Sequence, residues 1–151
     1  MHALLLLITL ALAWPSYAGQ AVRVIDGDGI ELDGVSIRLW GVDAVEKRQN
    51  CTRNGASYPC GQDALTALQR LVDGKAIVCD DRGKDRYRRT VARCVAGGVD
   101  LGGEMVRLGW ALDFKRYSKG HYAALQEEAK AARRGLWDGT FELPKAWRKA
   151  H

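Results

Sequence analysis

Three short runs in which apolar and polar residues alternate, Val22 to Ile25, Ile30 to Leu32 and Val35 to Leu39, constrain this chain more than any other feature. Alternation at period two reads as a strand with one face buried, and Asp33-Gly34 between the last two runs is a two-residue hairpin signal. Three meandering strands therefore open the domain. In GQDALTALQRLVDG, Ala64, Leu65, Leu68, Leu71 and Val72 recur at helical spacing, and Gly74 is a natural stop. Lys75 to Cys79 and Thr90 to Val95 are strand-like again, with alternation at Val91, Arg93 and Val95.

Three strands, a helix and two strands is the order of an OB-fold, a small Greek-key barrel that often binds oligonucleotides. Two further helices follow, Leu101 to Leu108 stopped by Gly109, and Lys119 to Arg134 stopped by Gly135. In the second, Tyr122, Leu125, Ala129 and Ala132 form one apolar face that packs on the barrel. The expected class is mainly β with α (α+β): a five-stranded OB-fold barrel with three helices. Trp110, Trp137, Phe114 and Phe141 read as core or helix-seating aromatics rather than base-stacking platforms. The C-terminal KAWRKAH reads as a frayed basic tail.

From Ala3 to Trp14 the chain is apolar except for Thr9, and Ser16-Tyr17-Ala18 supplies the small residues a signal peptidase reads. The run is shorter than the roughly 20 apolar residues a membrane-spanning helix needs. Residues 1–18 are expected to be a signal peptide cleaved after Ala18, leaving residues 19–151 as one secreted or periplasmic domain without stable membrane association. Met1-His2 carries no Lys or Arg, so an uncleaved tether is the alternative. Four cysteines fit export. Cys79 and Cys94 lie on neighbouring strands flanking a basic loop, and Cys51 and Cys60 bracket a loop containing Asn54, Gly55 and Pro59. Of three formal connectivities, Cys51 with Cys60 and Cys79 with Cys94 is favoured. No C-x2-C spacing supports a zinc site.

The leader holds no charge, so the domain keeps the net +5 of the whole sequence. The charges cluster: RGKDRYRR, residues 82–89, places five cations beside the single acid Asp85. Such a run is ordinarily a solvated loop, but next to acids it could hold a polyanion. Those acids are Asp28 in IDGDG, and Asp43 and Glu46 in IRLWGVDAVE. Taken singly, each charged residue has an ordinary explanation. DGDG is a turn, Arg38 is a buried ion pair, and Glu46 is a surface acid near Lys47 and Arg48. Together they describe a different chemistry. Asp28 and Asp43 at adjacent strand ends, with a backbone carbonyl, would hold a hard divalent cation. Arg38 and Arg89 would grip a phosphate bidentately and stabilise the charge that grows as water adds. Glu46 would orient or deprotonate that water.

IDGDG, IRLWGVDAVE, YPCGQDAL, DRYRRTVARC, MVRLGWA and RRGLW, in this order and spacing, resemble the staphylococcal-nuclease-like, or thermonuclease, family across the mature chain. The resemblance implies an OB-fold with added helices and a calcium-dependent phosphodiesterase with DNA and RNA substrates. It implies Asp28, Asp43 and the Ala44 carbonyl as ligands of Ca2+, with Asp26 nearby in the outer shell. It further implies Arg38 and Arg89 as phosphate arginines and Glu46 as the water-handling acid. Tyr87 and Tyr117 fall at nucleotide-contacting positions. Departures from the family pattern are Gly29 for Thr, Val45 for Pro and Arg88 for Gly. Val45 is expected to free the turn that sets Glu46, and Gln126, often Glu in relatives, to affect packing with Arg107. A monomeric exported nuclease is the favoured reading. The alternative is a catalytically weak OB-fold module that binds single-stranded nucleic acid.

Overall fold

A computed structural model describes residues 19–151, so the expected signal peptide at residues 1–18 lies outside the described residues. Strands β1 (Val22–Asp26), β2 (Gly29–Leu32) and β3 (Val35–Leu39) form the expected antiparallel meander. The β2–β3 turn has both central residues at positive φ, Asp33 at 50° and Gly34 at 80°, the geometry that matches the twist of a two-residue hairpin. After β4 (Val42–Ala44) come a small hairpin, β5 (Cys51–Arg53) and β6 (Ala56–Tyr58), helix α1 (Cys60–Val72), and strands β7 (Ile77–Lys84) and β8 (Thr90–Ala96).

The sheet order is β1-β2-β3-β8-β7, and β3 and β8 run parallel. This is the OB order expected from sequence. The seam between the chain entering β1 and the start of β7 is closed by one side chain. Gln20 Nε2 donates to Ile77 O at 2.9 Å, and Ile77 N donates to Gln20 Oε1 at 2.8 Å. Inside lie Val24, Ile30, Ile37, Leu39, Ala92, Cys94 and Ala96, the inward positions of alternating strands. Helix α1 buries Ala64, Leu68 and Val72, spaced four apart on one face, and lies against β1.

Strand β9 (Val99–Asp100) adds to β8, and α2 (Leu101–Arg107) follows. Asp100 caps α2 through Gly103 N, accepts from Arg93 Nε at 2.7 Å, and accepts from the buried Tyr122 hydroxyl at 3.0 Å. Strand β10 (Ala111–Asp113) pairs with β4, setting Leu112 opposite Asp43. The aromatics take packing roles: Trp110 and Phe141 lie against the core, and Trp137 meets Phe141 edge-on at 5.2 Å.

Three elements differ from the sequence expectation. The helix read as Lys119 to Arg134 is shorter, α4 (Ala123–Ala131), and follows a separate short helix, α3 (Lys115–Ser118), which Lys119 ends at a left-handed φ of 55°. Strand β7 begins at Ile77 and continues through Lys84, so the first part of the basic run is strand, with a register shift between Asp81 and Lys84. The C-terminal residues are not frayed. They form α5 (Pro144–Ala150), with Pro144 in the first turn, where a missing N–H costs no intrahelical bond.

The disulfides are Cys51–Cys60 and Cys79–Cys94, the second joining residues directly opposite each other on β7 and β8. They suit an oxidising, extracytoplasmic setting. Among the described residues no helix is long and apolar enough to cross a membrane. Replacing Cys79 and Cys94 together by Ser should lower unfolding free energy by about 3 kcal/mol, the value typical of a loop of this length. Denaturant titration of parent and variant should show this gap under oxidising conditions and lose it under reductant.

Candidate active site

At one end of the barrel the turn after β1 and the neighbouring strands β3 and β4 bring their charged residues to a single place. Asp28 and Asp43 are 5% and 6% exposed. Arg38, from inside β3, bridges them: Nη1 donates to Asp28 Oδ1 at 3.1 Å, and Nη2 donates to Asp43 Oδ1 at 3.3 Å and to Val42 O at 3.2 Å. The second Asp28 oxygen accepts from Ala44 N at 2.8 Å, and Asp26 Oδ1 accepts from Asp28 N at 3.1 Å. Burial pushes the Asp28 carboxyl up to about 7. Arg38 pulls it down, while the negative neighbours Asp26 and Asp43 reinforce the rise. A buried acid pair with a third acid beside it is an arrangement that favours added positive charge.

Gly29, where the family pattern has Thr, has a structural consequence here. A Cβ at that position would come within 2.8 Å of Asp26 Oδ1, so the glycine makes room for the Asp26 carboxylate to lie against the turn. Arg88 adopts a left-handed φ of 64°, a conformation glycine takes without steric cost. Its side chain is exposed.

The turn carrying Glu46 is braced rather than loosened by Val45, which is 1% exposed. Gln49, also buried, accepts from Glu46 N at 3.1 Å through Oε1 and donates through Nε2 to Glu142 O at 2.7 Å. Gly61, in the first turn of α1, packs so closely on this turn that a Cβ would sit 2.0 Å from Glu46 O. Glu46 Oε1 accepts from Arg148 Nη1 at 2.7 Å, and the same guanidinium reaches Asp43.

Arg89, Tyr87 and Tyr117 lie outside this hydrogen-bonded cluster. Parallel pairing sets Arg38 opposite Val91, and alternation then puts Arg89 on the Arg38 face of the sheet. Asp85 organises the basic loop: it accepts from Tyr87 N at 2.9 Å, Arg89 N at 3.0 Å and Arg89 Nε at 2.7 Å. That leaves the Arg89 Nη groups for another anion. Tyr87 is 65% exposed with the Arg86 and Arg89 guanidiniums 4.8 and 5.7 Å from its ring. Tyr117, on α3, is 55% exposed and packs edge-on to Phe114. Gln126 takes no part with Arg107. It accepts from Asp113 N at 2.9 Å, and Arg107 pairs with Glu104.

Sequence reasoning missed Gln49, the organising role of Asp85, and Arg148. Only the last left a signal, Pro144 at a helix start in LPKAWRKA.

The donors offered to a cation are carboxylate and carbonyl oxygens, which suit calcium or magnesium. Among the described residues no three His, Cys, Asp or Glu side chains converge on one point, so two carboxylates would carry such an ion. A concavity of about 350 Å3 between Gln20 and the end of α1 shares no residue with this cluster.

An OB barrel with this charged set, and with relatives named as endonucleases, defines the class: a nuclease, a hydrolase of ester bonds. The family pattern described as Staphylococcal nuclease homologue matches residues 36–139. An uncharacterized endonuclease of Escherichia coli O157:H7 is 32% identical over 153 residues, spanning 94% of each chain. The succinoglycan biosynthesis protein ExoI of Rhizobium meliloti (strain 1021) is 39% identical over 122 residues, 79% of this chain and 63% of its own. The probable staphylococcal-like nuclease CAN2 of Oryza sativa subsp. japonica is 31% identical over 134 residues, and the chain spans only 34% of its length. The chain belongs to the staphylococcal nuclease family.

Gln49→Ala would take the side-chain partner from Glu46 N and Glu142 O in a partly buried setting. It should cost about 1–3 kcal/mol of stability, read as a shift of the urea midpoint at unchanged slope.

Proposed function

We propose that this protein is an exported calcium-dependent nuclease, acting as a monomer on DNA and RNA, with residues 1–18 removed as a signal peptide near Ala18 and residues 19–151 forming the catalytic domain. The observation that supports this most is the convergence of Asp28, Arg38, Asp43 and Glu46 from separate elements onto one end of the barrel. Burying two carboxylates with further acids beside them opposes folding unless positive charge compensates them, and a cation-binding phosphodiesterase uses that arrangement.

Asp28 and Asp43 would hold the cation with the Ala44 carbonyl, and Asp26 would act from the outer shell. Bound there, the ion supplies positive charge that stabilises the phosphoryl oxygens. Arg38, which bridges Asp28 and Asp43, would present its fork to the scissile phosphate. Arg89, oriented by Asp85 through Nε, presents its remaining N–H groups from the loop just before β8. Two planar guanidiniums match the spreading phosphoryl charge, which a lysine ammonium does as a point charge only. Glu46, held by the Gln49 turn, accepts the proton of the attacking water. Tyr87 and Tyr117 offer exposed rings to the nucleotide, and the cations of residues 82–89 attract the polyanion.

Incubation of the purified mature protein with labelled single-stranded DNA should give cleavage with calcium and none with excess chelator. Binding without cleavage in both would support a single-strand-binding module instead. Asp43→Ala should abolish cleavage at saturating calcium while circular dichroism reports an intact fold. Arg38→Lys and Arg89→Lys should each lower turnover about 100-fold or more with far smaller changes in oligonucleotide affinity. Glu46→Gln should also lower turnover about 100-fold and leave affinity unchanged. Parallel losses of affinity and turnover in both arginine variants, with no effect at Glu46, would overturn the mechanism.

A further inference from the structure

The C-terminal helix delivers to this site a side chain that the mechanism above does not use. Arg148 Nη1 donates to Asp43 Oδ1 at 3.1 Å and to Glu46 Oε1 at 2.7 Å, and Nη2 donates to Asp43 Oδ2 at 3.3 Å. One guanidinium thus spans the acid assigned to the cation and the acid assigned to water. Helix α5 is fastened for this purpose at its entry. Gln49 grips Glu142 O, and Pro144 is buried. With Arg38 also on Oδ1, both oxygens of Asp43 are engaged by positive groups. A divalent cation in contact with the same carboxylate would stand a few ångströms from the Arg148 charge, where repulsion is strong in a partly buried setting. Lys149 lies on the same helix, is exposed and pairs with neither acid, so its charge lies outside this contact.

Building on the metal-dependent reading, we propose that Arg148 is a positioning residue of this site: in the cation-free protein it holds Asp43 and Glu46 together as an internal counter-ion, and it must release Asp43 for a divalent cation to bind. The competition is reciprocal. Removing Arg148 strengthens cation binding, and cation binding loosens α5.

The test is calorimetric titration of the full mature chain with calcium alone, without nucleic acid, for the parent, Arg148→Gln and Lys149→Gln. Arg148→Gln should bind calcium about 5- to 100-fold more tightly, and Lys149→Gln should stay within about twofold of the parent, its exposed charge being screened. Arg148→Lys, which keeps the charge and loses the fork, should fall between the parent and Arg148→Gln, and it serves if Arg148→Gln does not fold. Amide hydrogen exchange over residues 145–150 should quicken on calcium addition in the parent and be fast and insensitive to calcium in Arg148→Gln. Parent-like or weaker affinity in Arg148→Gln, an equal gain in Lys149→Gln, or α5 exchange in the parent that ignores calcium would overturn the proposal. Calcium uptake by the parent with any of these results sinks this inference alone, whereas no uptake by any form sinks the metal-dependent reading and this inference with it.

Discussion

Two carboxylates, Asp28 and Asp43, are buried at one end of the barrel with a third, Asp26, beside them, and much of the surrounding structure compensates that charge. Arg38 crosses between the pair, Ala44 N–H satisfies one Asp28 oxygen, and Arg148 arrives from more than a hundred residues away to meet Asp43. A buried ion pair rarely adds net stability over apolar packing, and removing one member leaves an uncompensated charge. Such a cluster is better explained by what it binds than by what it stabilises. The rise of the Asp28 carboxyl to about 7 expresses the same imbalance.

The apolar core makes this arrangement affordable. The inward faces of the meander and β8, with α1 closing one side, hold the strand ends rigid, and the β3–β8 parallel pair places the Arg89 segment beside Arg38. Around Glu46 the bracing is local and polar. Gln49 ties the turn to itself and to the chain entering α5, Gly61 permits α1 to press on its backbone, and the Cys51–Cys60 disulfide closes the loop between them. The role proposed for Glu46 requires it to be held within hydrogen-bond reach of its proton, and three unlike devices hold its turn. Together they offset the absence of a proline at Val45.

The basic loop shows the same logic in a more open setting. Asp85, the single acid in a run of cations, gathers two backbone N–H groups and the Arg89 Nε into one Asx-type turn. Both the burial and the bonds act on its carboxyl. Desolvation would raise it, but the hydrogen bonds from Arg89 outweigh that and hold it below the ordinary aspartate range. Arg89 is thereby fixed at its stem while its tip stays available.

The meander, α1, β8 and α2 were legible because each depends on a local pattern: period two, period 3.6, an Asp-Gly turn, a glycine stop. The Cys79–Cys94 pairing was legible because the strands it joins were, and Cys51–Cys60 because the two bracket one short loop of turn residues. The bounds of the third helix were not, since Lys119 and Arg133 take left-handed φ at either end of it without being glycines. Strands β4, β5, β6, β9 and β10 are each two or three residues long, too short for periodicity to register, and exist because a partner lies opposite. In the site, the acids and arginines stood out by type and position along the chain. Their grouping depended on pairings such as Leu112 with Asp43 and Arg38 with Val91, and Arg148 reached the acids only through the fold of a tail that reads as solvated. Local sequence set the longer elements and the chemical kinds of side chain, because those follow from neighbours a few residues apart. Which charges face one another was settled by the fold, because electrostatic contact depends on distance through space, and the chain brings Arg148 to Asp43 by a path that no local pattern records.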